Sequence, residues 1–253
     1  MRELKNSHIF NVEYTMLSEG DNMKELISAS QLTKSYKARC VVDHINVAIQ
    51  EGEIIALVGT NGAGKTTTIG MLLGIIPQDS GTIEYWTSDY KKEIGTQLQS
   101  TPFFEGYSVE DNVKLFGAFY GISLTKNDID EKLAAFDLLQ VKKMPAIKLS
   151  LGQQKRLAII VTTLHNPKLV ILDEPSAGLD PRGQREIQQI IKRLKNSGVA
   201  VLFSSHDMLE VMNVADRVLV MHHGKIMANG SPDSLMEHYQ TQNLEELFFE
   251  LTK

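Results

Sequence analysis

"EIIALVGTNGAGKTT", Glu53 to Thr67, decides the fold. Ile54 to Val58 are five apolar residues in a row, the pattern of a strand buried on both faces of a parallel sheet. The run enters a glycine-spaced turn at once, and a helical pattern follows. Gly59 to Thr67 fit G-x-x-x-x-G-K-[ST] in the strand–turn–helix setting that this pattern requires. Glycines 59, 62 and 64 let the backbone approach phosphate oxygens, and the amides from Asn61 through Ala63 and Gly64 form a nest at a helix N-terminus. Lys65 is expected at the β- and γ-phosphates of a nucleotide, Thr66 as a ligand of Mg²⁺, and Thr67 beside them.

Working outward, "KLVILDE" (Lys168–Glu174) and "VAVLFSSH" (Val199–His206) read as two further buried strands. Pro181 to Lys195 reads as a helix, with proline in its first turn and a stop at Asn196-Ser197-Gly198. Strands and helices alternate, which is α/β patterning. Residues 24–50 and 81–86 alternate in polarity, as in "INVAIQ" and "GTIEYW", and read as antiparallel strands. From about Ser108 to Leu164 the chain reads as mostly helical. Val109, Val113, Phe116 and Phe119 recur at helical spacing behind Ser108, a good cap. The expected fold is therefore an α/β core with an antiparallel β subdomain and an inserted α-helical one.

A second acidic site follows from "LVILDEPSAGLDP". Asp173 and Glu174 stand at the C-terminal end of a buried strand, where ligands bind in open α/β sheets. Asp173 would hold Mg²⁺ directly or through water, and Glu174 would polarise a water attacking the γ-phosphate. An isolated "DE" is more often a solvated loop start; the apolar run before it and the phosphate loop favour function here.

The bulk numbers set limits. With 253 residues and 42% hydrophobic content, the chain can bury a full core, and its net charge of −5 disfavours a wholesale nucleic-acid binder. The single cysteine, Cys40, cannot form an internal disulfide and reads as a small buried strand residue. No apolar run nears the roughly 18 residues of a membrane span, and the N-terminus has no apolar signal core. The chain reads as a soluble, reducing-compartment protein, so any work at a membrane needs another subunit to span it.

"KLSLGQQKRL", Lys148 to Leu157, carries no nucleophile, metal site or acid–base pair of its own. Taken with "GTNGAGKTT" and "LVILDEPSAGLDP", its order and spacing resemble the nucleotide-binding domain of the ABC ATPases over roughly residues 24 to 232. The resemblance implies a P-loop (RecA-like) core with the helical subdomain at about 100–164, and ATP with Mg²⁺ as ligands. It also implies that two domains pair head to tail, each signature closing over the other's ATP. Ser150 and the Gly152 N–H would then meet the γ-phosphate and Gln153 the ribose side. "IGTQLQ" puts Gln99 at the Q-loop, touching Mg²⁺ or water. Asp180 of the D-loop would face the partner, and His206 would contact the γ-phosphate, while the other six histidines read as structural. Tyr36 stands where the family stacks an aromatic on adenine, or is simply a strand-edge tyrosine. Leu151, Leu98 and Thr60 depart from the usual family residues without removing a contacting group.

The same resemblance implies separate permease subunits, a second ABC ATPase subunit as partner, and a place on the cytoplasmic face of the membrane. Phe103, Phe104 and Tyr107 either line the groove for the permease's coupling helix or pack the helical core. "GSPDSL" and "NLEELFFELTK", in a tail covering 233–253, resemble subunits serving ABC-2-type exporters; Leu244, Leu247, Phe248 and Leu251 also make an amphipathic helix. Residues 1–23 read as a weakly ordered extension, with Met23 as an alternative start. A soluble ABC ATPase of translation or DNA repair is the alternative, disfavoured by the absence of tandem domains, a coiled coil or basic charge. A P-loop kinase or GTPase is disfavoured by the signature and D-loop.

Overall fold

The computed structural model describes residues 10–11, 24–98 and 102–253. In chain order the first elements are β1 (Phe10–Asn11), β2 (Glu25–Tyr36), β3 (Arg39–Gln50), β4 (Ile54–Gly59), α1 (Lys65–Leu72), β5 (Ser80–Tyr85) and β6 (Ile94–Gln97). The helical block follows, with α2 (Val109–Phe119), α3 (Lys126–Ala135) and α4 (Leu151–Thr163). The chain then runs through β7 (Leu169–Asp173), α5 (Pro181–Asn196), β8 (Ala200–Ser205), α6 (Met208–Val214), β9 (Arg217–His222) and β10 (Lys225–Gly230). It ends with α7 (Pro232–Tyr239) and α8 (Leu244–Leu251).

The main sheet has the order β1-β10-β9-β4-β8-β7-β6. From β9 to β6 every pairing is parallel, and β10 returns antiparallel to β9. The three apolar runs of the sequence are β4, β7 and β8, buried at every position and adjacent in the sheet. Their side chains meet apolar neighbours on both faces, so the polar alternation of a half-exposed strand is absent. β2, β3 and β5 form the separate antiparallel sheet in the order β3-β2-β5.

Three apolar clusters hold these layers together. The antiparallel sheet packs Ile27, Leu32 and Ile49 against α1 and one face of the main sheet, through Ile69, Leu57 and Ile171. On the other face, Val58, Leu172 and Phe203 meet Ile187, Ile190 and Ile191 of α5, with Leu244 and Leu247 of α8 in the same cluster. The helical block has its own cluster, from Val109 and Val113 to Leu157 and Val161. Helix α4 joins it to the core, because Ile159 turns the other way onto the main sheet. Burying such a Leu, Ile, Val or Phe side chain stabilises by about 1.5–3 kcal/mol.

Helix starts follow the caps in the sequence. Ser108 accepts from the Asp111 amide, Asp180 from Gly183, and Pro181 takes the first position of α5, where a missing N–H costs nothing. At the opposite edge, the Arg217 guanidinium donates to both oxygens of Glu53, at 2.6 and 2.8 Å, tying the start of β9 to the entry of β4.

One expectation is corrected. Cys40 is exposed, because it lies at the mouth of the β2–β3 hairpin, opposite Ser35, beyond the reach of the core. The helical reading of Val109 to Phe119 holds as α2, with Val109 and Val113 buried and Phe119, where the apolar stripe outlasts its contact with α4, 64% exposed. Of the extension, Phe10–Asn11 run parallel to Ala228–Asn229. The rest of 1–23, and Gln99, lie outside the described residues.

Candidate nucleotide site

The β4–α1 turn is shaped by contacts that no side chain would tolerate. A Cβ on Gly59 would stand 2.5 Å from the Met221 carbonyl oxygen, and one on Gly64 would stand 2.6 Å from that of Val41. Gly64 has φ +111 and caps α1 with no side-chain hydrogen bond. The first-turn amides of α1 are therefore left for an external acceptor, which is the physical requirement of an anion site.

These amides open on a cavity of about 660 Å³. Thr60, Asn61, Gly62, Gly64, Lys65, Thr66 and Thr67 line one wall, and Asp173, Glu174, Ala177, His206, Lys155 and Val41 complete it. Lys65 is 7% exposed, and its ammonium donates to the Gly59 carbonyl at 2.8 Å. That bond folds the side chain back over its own loop, where phosphate oxygens would compete for the same protons.

Asp173, buried at the end of β7, accepts from the Thr66 hydroxyl at 3.2 Å and from Ser204 at 2.5 Å. Two hard oxygen ligands at this separation suit Mg²⁺, which takes one or two protein oxygens and completes its shell with phosphate and water. Ser204 also accepts from the Glu174 amide at 2.9 Å, so one hydroxyl fixes both acidic residues.

Glu174 has φ +53, a left-handed conformation that is uncommon away from glycine and is held at functional turns by surrounding bonds. Its Oε2 lies 2.7 Å from Nδ1 of His206 and its Oε1 lies 3.8 Å from the Lys65 ammonium. Its carbonyl accepts from Lys155 at 3.2 Å. Burial lowers the Lys155 ammonium below its ordinary range, with Glu174 and Asp173 pulling the other way.

The sequence-predicted residues divide into two groups. The other loop residues, Asp173, Glu174 and His206 converge on the cavity, while Gly59 and Ala63 are buried and lie outside its lining. Ser150, Gly152, Gln153 and Asp180 do not line it. Ser150 and Gln153 form a reciprocal capping box on α4, and the exposed Asp180 caps α5. Tyr36 is 48% exposed at the end of β2 and does not line the cavity either. Sequence reasoning missed Lys155 and Ser204. Ser204 sits two residues before His206 in a strand already placed at the site, which was signal enough. Lys155 gave none, since a lysine on a mixed helix reads as solvated.

Comparison with known proteins is consistent across sequence and structure. The ABC transporter family profile matches residues 42–177. The lantibiotic transport ATP-binding protein SrtF of Streptococcus pyogenes is 34% identical over 227 residues, covering 88% of this chain and 96% of that protein. The bacitracin transport ATP-binding protein BcrA of Bacillus licheniformis is 37% identical over 238 residues, covering 91% and 76%. A solved ATP-binding subunit of an ABC transporter superposes with a TM-score of 0.80 at 26% identity, covering 90% of this chain and all of that one.

Proposed function

This chain belongs to the ABC transporter ATP-binding family, and from that membership we propose that it is the ATP-hydrolysing subunit that energises a membrane exporter whose permease is carried on separate chains. The observation that carries the reading is the convergence of Lys65, Asp173, Glu174 and His206 on one cavity, with the signature segment left outside it.

In this reading the α1 amides and Lys65 take the phosphates, and Thr66 and Asp173 would hold Mg²⁺, which would supply charge neutralisation to the phosphates. By its place in the motif Gln99 would join them. Glu174 accepts a proton from the attacking water, His206 orients Glu174 and the γ-phosphate, and the bond from the γ-phosphorus to the bridging oxygen breaks to leave ADP and inorganic phosphate. Tyr36, exposed at the end of β2, would stack on adenine.

The signature acts in trans. The α4 cap uses the third amide of the helix, that of Gln153, and leaves those of Leu151 and Gly152 without intrahelical partners. Ser150 and these amides supply the N-terminal end of a helix dipole to the γ-phosphate of a second ATPase subunit. Asp180 faces that subunit, and Gln153 reaches the ribose side.

Docking to the permease is supported by an exposed aromatic patch on the helical block. Phe104 and Tyr107 are 41% and 54% exposed and touch edge to face, with Phe119 beside them, whereas Phe103 packs on the helical core. No helix among the described residues is long and apolar enough to cross a membrane, so residence at the cytoplasmic face would come through the permease. The relatives named for lantibiotic and bacitracin transport support transport, and the lipopolysaccharide export system ATP-binding protein LptB of Escherichia coli, 32% identical over 236 residues, supports export. Extraction of the tagged chain from native membranes in mild detergent tests this. A membrane-spanning partner should co-purify, and Phe104→Asp with Tyr107→Asp should release it. Recovery only from the soluble fraction, without a membrane partner, would overturn it.

A further inference from the structure

One buried carboxylate near the cavity has no place in the mechanism above. Glu210, in α6, is 2% exposed. One of its oxygens accepts from the hydroxyl of Ser176, and the other accepts from that of Ser205 at 2.6 Å. Both serines are themselves buried, at 4% and 3% exposure. Ser176 lies two residues beyond Glu174, and Ser205 immediately precedes His206. A single side chain therefore grips both chain segments that carry the hydrolytic pair.

Those segments have few other ties to each other past the sheet. β7 and β8 pair in parallel and their register ends at Asp173 opposite Ser204. Beyond it Glu174 turns into the left-handed conformation and His206 leaves the strand, 67% exposed at its side chain. Helix α6 is a firm anchor for the bridge. Val211 and Val214 are buried in the core beneath α5, and Asp207 caps α6 by accepting from the Leu209 and Glu210 amides. The Ser205 hydroxyl also accepts from the Asp207 amide at 3.0 Å, so its proton is directed at Glu210. Burial raises the Glu210 carboxyl above its ordinary range, while the two serine hydroxyls act against that shift.

We propose that Glu210 is a positioning residue for ATP hydrolysis: by clamping Ser176 and Ser205 it holds Glu174 and His206 at contact distance. The proposal rests on the assignment of Glu174 and His206 as the hydrolytic pair. The clamp acts on geometry alone and touches neither nucleotide nor water. Because Ser176 opens the segment that runs to Asp180, it also ties the D-loop to the His206 turn. Gln184 of α5 reinforces that tie through Asp207, at 3.4 Å.

The test compares wild type with Glu210→Gln, Ser176→Ala and Ser205→Ala. Glutamine keeps the size of the side chain but accepts at one end only. Each variant should melt as a folded protein and bind ATP with unchanged KM, while kcat falls about 10- to 100-fold, the scale of a misplacement near 1 Å. In ¹⁵N-histidine-labelled, nucleotide-free protein the His206 ring signal, identified by its loss in His206→Ala, should move in Glu210→Gln. In a Ser176→Ala, Ser205→Ala background, Glu210→Gln should add nothing further. An unchanged kcat overturns the proposal, whether or not the melting temperature falls, because a purely structural carboxylate would affect stability alone. So does a rise in KM without a loss of kcat. Failure of the underlying assignment looks different: Glu174→Gln would then keep wild-type turnover, and an unmoved His206 signal would separately reject the clamp.

Discussion

Nδ1 of His206 stands 2.7 Å from Oε2 of Glu174, although the two residues leave different strands and are 32 positions apart. The contact joins an acid at the end of β7 to an imidazole at the end of β8, directly across the mouth of the phosphate loop. A water between this pair and the γ-phosphate would meet one proton acceptor and one group that fixes its direction. His206→Ala should therefore lower kcat by about 10²-fold or more, the typical worth of a positioned acid–base group, while ATP binding is retained. Steady-state hydrolysis beside equilibrium nucleotide binding checks this; loss of binding with normal kcat would place His206 in recognition rather than in the chemical step.

Gln97 closes β6. It is fully buried, and neither its amide nitrogen nor its oxygen has a hydrogen-bond partner among the described residues. An unsatisfied buried amide costs about 1–3 kcal/mol. Gln97→Leu should raise stability by a comparable amount, with each kcal/mol worth about 2–4 °C in melting temperature for a chain of this size. A lower melting temperature would show that the amide is satisfied in solution.

The fold was legible because its strands are of an easily read kind. Ile54 to Val58, Leu169 to Leu172 and Ala200 to Phe203 are buried on both faces, so their apolar runs are continuous, and glycine, aspartate and serine mark where they end. The loop, Asp173, Glu174 and His206 were legible for the same reason, since strand ends carry them to one edge of the sheet. Cys40 was misread because burial there depends on which element lies opposite, and local pattern does not carry that. Lys155 and Glu210 were invisible for a related reason. Each is a charged residue on a helix, and only the packing of α4 and α6 against the β7 and β8 ends turns it inward. Tyr36 shows the converse, a motif position that the described conformation leaves outside the cavity.

The proposed role of the signature predicts ATP-driven dimerisation. In a Glu174→Gln background, where closure is not undone by turnover, ATP with Mg²⁺ should convert monomer to dimer in light scattering. Ser150→Arg should abolish that dimer and leave nucleotide binding by each monomer intact, because Ser150 lines no part of its own cavity. A dimer indifferent to Ser150→Arg would contradict the shared site.

Magnesium should be needed for chemistry more than for affinity. Thr66→Ala removes one of the two oxygens offered to the ion, at 3.2 Å from the other. The variant should require more Mg²⁺ for half-maximal hydrolysis and bind ATP normally in EDTA. Equal losses with and without Mg²⁺ would assign Thr66 to the phosphates alone.

The central claim is that Glu174 activates water in this cavity, and it is tested most directly by one paired measurement on Glu174→Gln: MgATP turnover and ATP binding in the same preparation. The substitution keeps the shape of the side chain and removes the proton acceptor. The account predicts turnover lowered by about 10²–10⁴-fold, which is roughly 3–5 kcal/mol of barrier, with ATP bound as tightly as in the wild type. Hydrolysis by Glu174→Gln at the wild-type rate would contradict it.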